Sequence, residues 1–245
     1  MLLRRITKHV KDQNWFAVGL DFLIVICGIL IAFQITNWNE ARHDRRDEQR
    51  YLAELAVNLE ADLAQVRAGQ EASLQRVAAA EAILAEAAPD YGRPRFFPEI
   101  DDDLPPPGAF ADYPYATLTA YFFLVSSKST FEELVQTGNI GIISNRSLVK
   151  DLTGYYDRLD RQRGNDDLML TQAEGMLDWT RENGVGMADR ASLEETIELA
   201  KTDKTFLGFV KMARFLAYFQ YTRLLGVETN TETLLAAVEV EIEAR

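Results

Sequence analysis

The chain has 245 residues, 47% of them hydrophobic, and a formal net charge of −12. This apolar content excludes a wholly disordered chain, and the length suits one domain of up to roughly 200 residues plus an anchor. The single cysteine excludes an intramolecular disulfide. Residues 1–50 carry eight basic and six acidic residues, which leaves 18 basic and 32 acidic residues for residues 51–245. A segment this acidic has no general attraction to phosphate, so we expect no nucleic-acid partner.

A long apolar run near the N-terminus predicts a membrane-spanning helix. The run Phe16–Ile35 is 20 residues long and contains one charge, Asp21. A helix of that length covers the ~30 Å hydrocarbon core of a bilayer. Trp15 and Trp38 bracket the run, as interfacial anchors do. No small-x-small cleavage site follows it, so we predict an uncleaved transmembrane helix over residues 15–38.

The charges beside the span bear on its orientation. Four basic residues lie on each side: Arg4, Arg5, Lys8 and Lys11 before it, and Arg42, Arg45, Arg46 and Arg50 after it. The positive-inside rule therefore does not decide the orientation by number. A short basic N-terminus ahead of a first span usually stays in the cytoplasm, and a long C-terminal domain crosses regardless of its charge. We predict a basic cytoplasmic tail over residues 1–14, with residues 40–245 outside the cytoplasm.

Three residues of the span are candidates for helix packing. Gly28 and Ala32 are spaced i, i+4, and small residues at this spacing let two membrane helices approach closely. Asp21 lies either at the headgroup boundary or inside the bilayer, where it would face a partner helix. We expect a partner membrane protein or a second copy of the chain to contact Gly28, Ala32 and Asp21.

The helix is predicted to continue beyond the membrane. No glycine or proline occurs between Gly28 and Gly69. Apolar residues then recur at steps of three and four, which predicts an amphipathic stalk helix over residues 39–88: Leu52, Leu55, Leu59, Leu63, Val66, Leu74, Val77 and Leu84. Polar Gln70 and Glu81 occupy two expected apolar positions. The stalk forms either one edge of a bundle or a coiled-coil homodimer.

All seven prolines lie in residues 89–114, which predicts a loop there. This loop carries Asp101, Asp102 and Asp103, either a Ca²⁺ site or a solvated acidic stretch. The proline-free residues 115–245 are predicted to form a helical domain that packs on the stalk. The expected fold is therefore all-α: a single transmembrane helix that continues into a long amphipathic helix, followed by an antiparallel helical bundle.

Capping residues and glycines divide this domain into predicted helices. The expected segments are Tyr115–Val125, Ser129 to Gly138 with a capping box at Ser129, Arg146–Gln162 capped by Ser144 or Asn145, Asp166–Glu182 after a break at Gly164 and Asn165, a helix from a capping box at Ser192, Asp203 to Gly226, and a last helix capped at Thr229. The apolar segment Thr205–Leu225 contains Lys211, Arg214 and Arg223, which favours a buried core helix over a second span.

Residues 51–245 contain no histidine and no cysteine, because His9, His43 and Cys27 all lie near the N-terminus. This excludes Ser-His-Asp and Cys-His catalysis there, and also zinc, haem and di-iron sites of ordinary composition. Asp157 and Asp160 form either a cation site or a surface ion-pair face. We predict no catalytic residue, no cofactor and no metal, and hence no enzyme.

Two stretches carry a family resemblance. The sequence FLIVICGILIAFQITNWNE, followed by a charged helix, resembles an uncharacterised family of bacterial single-span membrane proteins, a domain of unknown function. The second stretch is Phe131–Tyr156 (FEELVQTGNIGIISNRSLVKDLTGYY). The resemblance implies a bacterial membrane protein and supplies no catalytic residues.

These expectations combine into a functional hypothesis. We predict a non-catalytic membrane-anchored interaction protein, an accessory or scaffold subunit of a bacterial inner-membrane complex, with a periplasmic C-terminal domain. Its partners would be the lipid bilayer and a membrane protein or second copy bound through the transmembrane helix. The alternative is an extracytoplasmic ligand-binding sensor domain that signals through a separate partner.

Overall fold

A computed structural model describes residues 15–92, 100, 104–106, 112–163, 166–185 and 191–244, without the side chains of residues 15–18, 163 and 168. Over these residues the chain is all-α, with seven α-helices, one 3₁₀ turn and no strand. This confirms the predicted fold class. The predicted basic tail 1–14, the acidic triplet 101–103, the break at residues 164–165 and the Trp15 side chain lie outside the described residues.

The first helix, α1, runs without interruption from Trp15–Ala87 and is 73 residues long. The predicted span and stalk are therefore parts of one helix, as the absence of glycine and proline over most of its length indicates. The chain divides into two compact units, Met1–Arg50 and Tyr51–Arg245, and α1 contributes to both. The finer division of the chain at residues 14, 38, 88 and 114 stays a prediction.

The second unit contains the remaining helices. Their bounds are α2 Pro114–Thr119, α3 Ser129–Gln136, the 3₁₀ turn Asn139–Ile142, α4 Arg146–Arg163, α5 Asp166–Glu182, α6 Leu193–Thr202 and α7 Lys204–Glu243. The starts of α4 and α6 agree with the predicted caps, and α5 begins at Asp166 as predicted. Asn145 Oδ1 accepts from the backbone amides of Ser147 and Leu148, both at 3.1 Å, and Ser192 forms a complete capping box with Glu195. Gly138 adopts the left-handed conformation (φ 75°) that ends α3, as its position predicts.

The core of the second unit lies mainly between α1 and α7, which run antiparallel. Near its start, the apolar stripe of α1 packs with the end of α7, as Leu52 and Leu55 share a cluster with Val238. Further along, Ile83 shares a cluster with Phe206 at the start of α7. Because these leucines are fully buried inside one chain, the stripe is not free to form the alternative coiled-coil homodimer.

Two predicted boundaries in this unit are wrong, and one predicted cap does not form. The helix predicted over Tyr115–Val125 ends at Thr119, because the backbone beyond it bonds to side chains of α1 and α7 instead of continuing the helical ladder. Ser129 is the first residue of α3 and makes no capping bond. The helix that begins at Asp203 does not end at Gly226.

The last two predicted helices are one helix, α7, of 40 residues. Gly226 lies in its interior, and buried Val227, Thr231, Leu234 and Val238 continue the core face beyond it. The hydroxyl of Thr229 donates to the carbonyl of Leu225 at 3.1 Å and therefore does not cap a new helix. Burial of this face outweighs the cost of about 1 kcal/mol for one glycine inside a helix.

Candidate functional site

The first candidate surface is the apolar part of α1 in the first unit. This helix is long and apolar enough to cross a membrane. Every described side chain from Gly19 to Arg46 is exposed, including Trp38, which is 62% exposed. The hydroxyl of Thr36 donates to the carbonyl of Ala32 at 3.0 Å, so this polar group is satisfied within the helix itself. The surface is therefore suited to lipid, to another helix or to both.

One face of this helix carries all three predicted packing residues. Helical geometry of about 100° per residue places Asp21 about 20° and Ala32 about 40° to the same side of Gly28. A methyl group built on Gly28 meets no atom within 4 Å. Because Gly28 and Ala32 have small side chains or none, this face lets the backbone of a crossing helix approach closely. Packing at these residues stays a prediction, as does anchoring by Trp15 and Trp38.

A buried carboxylate in the second unit joins four segments of the chain. Asp62 of α1 is fully buried. It accepts hydrogen bonds from the Ser126 hydroxyl at 2.9 Å, the Ser127 amide at 2.6 Å and the Tyr155 hydroxyl at 3.1 Å. The same tyrosine oxygen lies 3.0 Å from Thr231 Oγ1 on α7. The carboxylate thus holds the non-helical segment after α2, together with α4 and α7, against α1.

Electrostatics at this cluster favour the neutral forms of its acids. Burial raises the pKa of Asp62, although the three hydrogen bonds act in the opposite direction. Burial also raises the pKa of Tyr155 and of Tyr156, with the Asp62 charge adding to it. The Tyr156 hydroxyl is buried and has no hydrogen-bond partner among the described residues. A phenol kept neutral beside a carboxylate is suited to donating a hydrogen bond.

A second polar cluster lies further along α1. The guanidinium of buried Arg76 donates to Gln220 Oε1 at 3.0 Å and lies over the Tyr121 ring, 4.0 Å from its centroid. Gln220 in turn donates to the carbonyl of Phe122. Burial lowers the pKa of Arg76 to about 10, so it remains a cation at neutral pH. Both clusters contact the same segment, residues 120–128, and their hydrogen bonds hold this segment in a non-helical conformation.

A surface groove separates α4 from α7. Its volume is about 370 Å³, within the range of small-molecule sites. On the α4 side it is lined by Lys150, Asp151, Gly154, Tyr155 and Arg158, and on the α7 side by Asn230, Thr233, Leu234 and Ala237. Tyr155 lines the groove and also bonds through its hydroxyl to Asp62 and Thr231, so the groove adjoins the Asp62 cluster.

Several polar residues predicted from sequence make specific contacts. The two polar breaks in the α1 stripe both bond to α7: Gln70 donates to Glu228 at 2.7 Å, and Glu81 accepts from Arg214 at 3.3 Å. Asp160 accepts from Lys128 at 3.0 Å, which supports the ion-pair alternative for this carboxylate over a cation site. No group of three or more metal-ligating side chains occurs within the described part of the chain.

Comparison with known proteins gives one match. A model of a family described as "Family of unknown function (DUF6090)" matches residues 21–84. The chain is therefore similar to that family over most of α1. No curated protein and no solved structure matches the chain. The match confirms a resemblance to an uncharacterised family over residues 21–84 of α1, while the second stretch, Phe131–Tyr156, lies outside the matched residues.

Sequence reasoning missed both the Asp62 cluster and the groove. Asp62 lies three residues after Leu59, a spacing at which the helical period predicts an apolar side chain on the buried face of α1. A charged residue at that position was the sequence signal for a buried carboxylate. The groove has no such pattern, because its two walls are about 75 residues apart in the chain.

Proposed function

We propose that this chain is a non-catalytic, membrane-anchored interaction protein, an accessory or scaffold subunit of a bacterial inner-membrane complex. The observation that carries the proposal is the apolar surface of α1 from Gly19 to Trp38, which no other described side chain of the protein covers. An apolar surface of this length requires lipid or another protein. The small-residue face at Gly28 and Ala32 supports a helix as one of its neighbours.

The chemistry of the second unit supports a role without catalysis. Residues 51–245 contain no imidazole and no thiol. The buried side chains of Asp62 and Arg76 bond to the backbone of Ser127 and Leu118, respectively, and they do not line the groove. Binding is therefore the better-supported role for this unit.

We further propose that the N-terminus is cytoplasmic and that the second unit is periplasmic. The basic residues at positions 4–11 agree with a cytoplasmic N-terminus, and a long C-terminal domain crosses a membrane largely regardless of its charge. Fusions of alkaline phosphatase and of green fluorescent protein to the C-terminus test it in a bacterial host. Phosphatase activity without green fluorescence is expected, and the reverse result would contradict the proposed orientation.

The interaction role is tested by extracting the protein in mild detergent. The extract is then analysed by size-exclusion chromatography with light scattering, and co-purifying proteins are identified. The wild-type chain is expected in an assembly larger than its monomer. Gly28→Leu is expected to dissociate that assembly, because its side chain fills the shallow face. Gly19→Leu is the matched control, since Gly19 lies about 180° around the helix from Gly28. A wild-type chain that extracts as an isolated monomer, together with unchanged behaviour of Gly28→Leu, contradicts the proposal.

The groove between α4 and α7 favours a second candidate function, a ligand-binding sensor domain. Its volume of about 370 Å³ suits a small molecule. A sensor of this kind needs a separate partner for its output. A thermal-shift screen of small molecules against the full chain tests this role, and a screen without any stabilising compound argues against it.

A further inference from the structure

The strongest unassigned feature of the second unit is the charge pattern of the α4–α7 groove. Lys150, Gly154 and Arg158 follow one another at four-residue spacing on α4, so each is about 6 Å further along the helix axis. Two cations thus stand about 12 Å apart along one wall, with a gap between them where Gly154 has no side chain. A methyl group built on Gly154 would lie 3.5 Å from Arg158 Nη1, so the guanidinium folds back toward this gap.

Both cations are available to a ligand. Neither Lys150 nor Arg158 forms an ion pair within the described part of the chain, and both are exposed. Other cations of the second unit are neutralised by carboxylates of the chain itself: Arg67, Lys128, Arg181, Lys201, Arg214 and Arg223. Arg146, Arg161 and Lys204 also form no ion pair within the described residues, but they do not line the groove, whereas Lys150 and Arg158 both do.

The facing wall adds no negative charge. Asn230, Thr233, Leu234 and Ala237 of α7 are all uncharged. Three neighbouring carboxylates of α7 bond to other partners: Glu228 and Glu232 accept from Arg67, and Glu241 accepts from Asn145. Glu239 does not line the groove. Asp151 is the single acid of the lining, which leaves two cations against one carboxylate.

We infer that the α4–α7 groove binds a small, water-soluble organic anion through Arg158 and Lys150. A phosphate or carboxylate group fits between these two cations over Gly154, and the guanidinium can donate two hydrogen bonds to it. Buried Leu234 and the methyl group of Ala237 provide the apolar surface for the body of the molecule. This inference goes beyond the interaction role and rests on the second candidate function, whose ligand class it names.

Titration of the full chain in a neutral detergent tests the inference. The probes are inorganic phosphate, sn-glycerol 3-phosphate and succinate, with sodium chloride at matched ionic strength as the reference, and the readout is isothermal titration calorimetry. Saturable binding of at least one organic probe is expected. Arg158→Gln is expected to weaken it by about 10-fold or more, the loss expected for a charge-assisted hydrogen bond. Gly154→Leu is expected to abolish it by filling the gap.

Arg161→Gln is the matched control, because Arg161 is exposed on the same helix but does not line the groove. Its affinity is expected to equal that of the wild type. Thermal unfolding without ligand verifies that Gly154→Leu folds, as expected for a residue with a higher helix propensity beside an open space. The absence of saturable binding by all three probes overturns the inference, and so does an equal loss in Arg161→Gln.

Two further outcomes separate the inference from related possibilities. Binding detected only in nanodiscs that contain phosphatidylglycerol, and absent with the soluble probes, overturns a water-soluble ligand in favour of a lipid headgroup. A neutral molecule that stabilises the wild type but not Gly154→Leu would overturn the inference that the ligand is an anion. It would leave the sensor role standing. Failure of the Gly28→Leu experiment bears only on the interaction role, so the two proposals fail independently.

Discussion

Two glycines inside helices should respond in opposite directions to the same substitution. Gly69 lies in α1 and is buried, whereas Gly226 lies in α7 and is exposed. A methyl group built on Gly69 would lie 2.6 Å from Phe122 Cε1 and 2.9 Å from Leu224 Cδ1, while one built on Gly226 meets nothing within 4 Å. Both positions have ordinary negative backbone dihedrals, since positive values among the described glycines occur at Gly138 and Gly184.

The magnitudes follow from helix propensity and packing. Gly226→Ala should raise the free energy of unfolding by about 1 kcal/mol, the propensity difference between the two residues. Gly69→Ala gains the same amount but overpacks the core, which costs about 1–3 kcal/mol. The upper part of that range applies because the Phe122 backbone is held by Gln220, so the ring cannot move away freely. We expect a net loss of about 1–2 kcal/mol for Gly69→Ala.

Thermal or urea unfolding of the detergent-solubilised chain, followed by far-ultraviolet circular dichroism, measures both changes. The two variants should differ by about 2–3 kcal/mol. Destabilisation by Gly226→Ala would refute the continuous helix α7, because it would indicate a glycine that ends a helix. Equal stabilisation by both substitutions would refute the close packing of α1, Phe122 and α7.

Three other predictions test buried polar contacts and helix caps. Burial raises the pKa of Asp62 in the folded state, so folding favours its protonated form. The stability that this contributes at low pH is lost as the pH rises through the folded-state pKa. Unfolding experiments at several pH values should therefore show the wild type losing stability relative to Asp62→Asn over this range. Arg214→Leu should lower the free energy of unfolding by about 3 kcal/mol, because it removes a buried guanidinium that donates to Glu81 and to the Gly92 carbonyl. The double variant with Glu81→Leu should recover much of this loss in a double-mutant cycle. Ser192→Ala should lower stability by about 1 kcal/mol, whereas Ser129→Ala, which removes no capping bond, should change it by less than about 0.5 kcal/mol in the same assay.

The sequence by itself determined the features that depend on local patterns. The apolar run at the N-terminus, the uninterrupted helix α1 and the all-α class follow from periodicity and from the placement of glycine and proline. The caps at Asn145, Ser192 and Asp203 and the helix end at Gly138 follow from short-range hydrogen bonding. Such interactions span a few residues, so the sequence contains all the groups that make them.

Only the tertiary structure decided the features that depend on distant segments. Gly226 and Thr229 carry the pattern of a helix end and a helix start, yet burial of Val227 and Leu234 against the rest of the unit keeps α7 continuous. The segment after Thr119 has helical composition, but Asp62, Gln65 and Gln220 compete for its backbone groups. Local propensities amount to tenths of a kcal/mol per residue, so a few buried contacts from other helices override them. The α4–α7 groove arises in the same way, because its cations and its neutral wall meet only when the two helices pack.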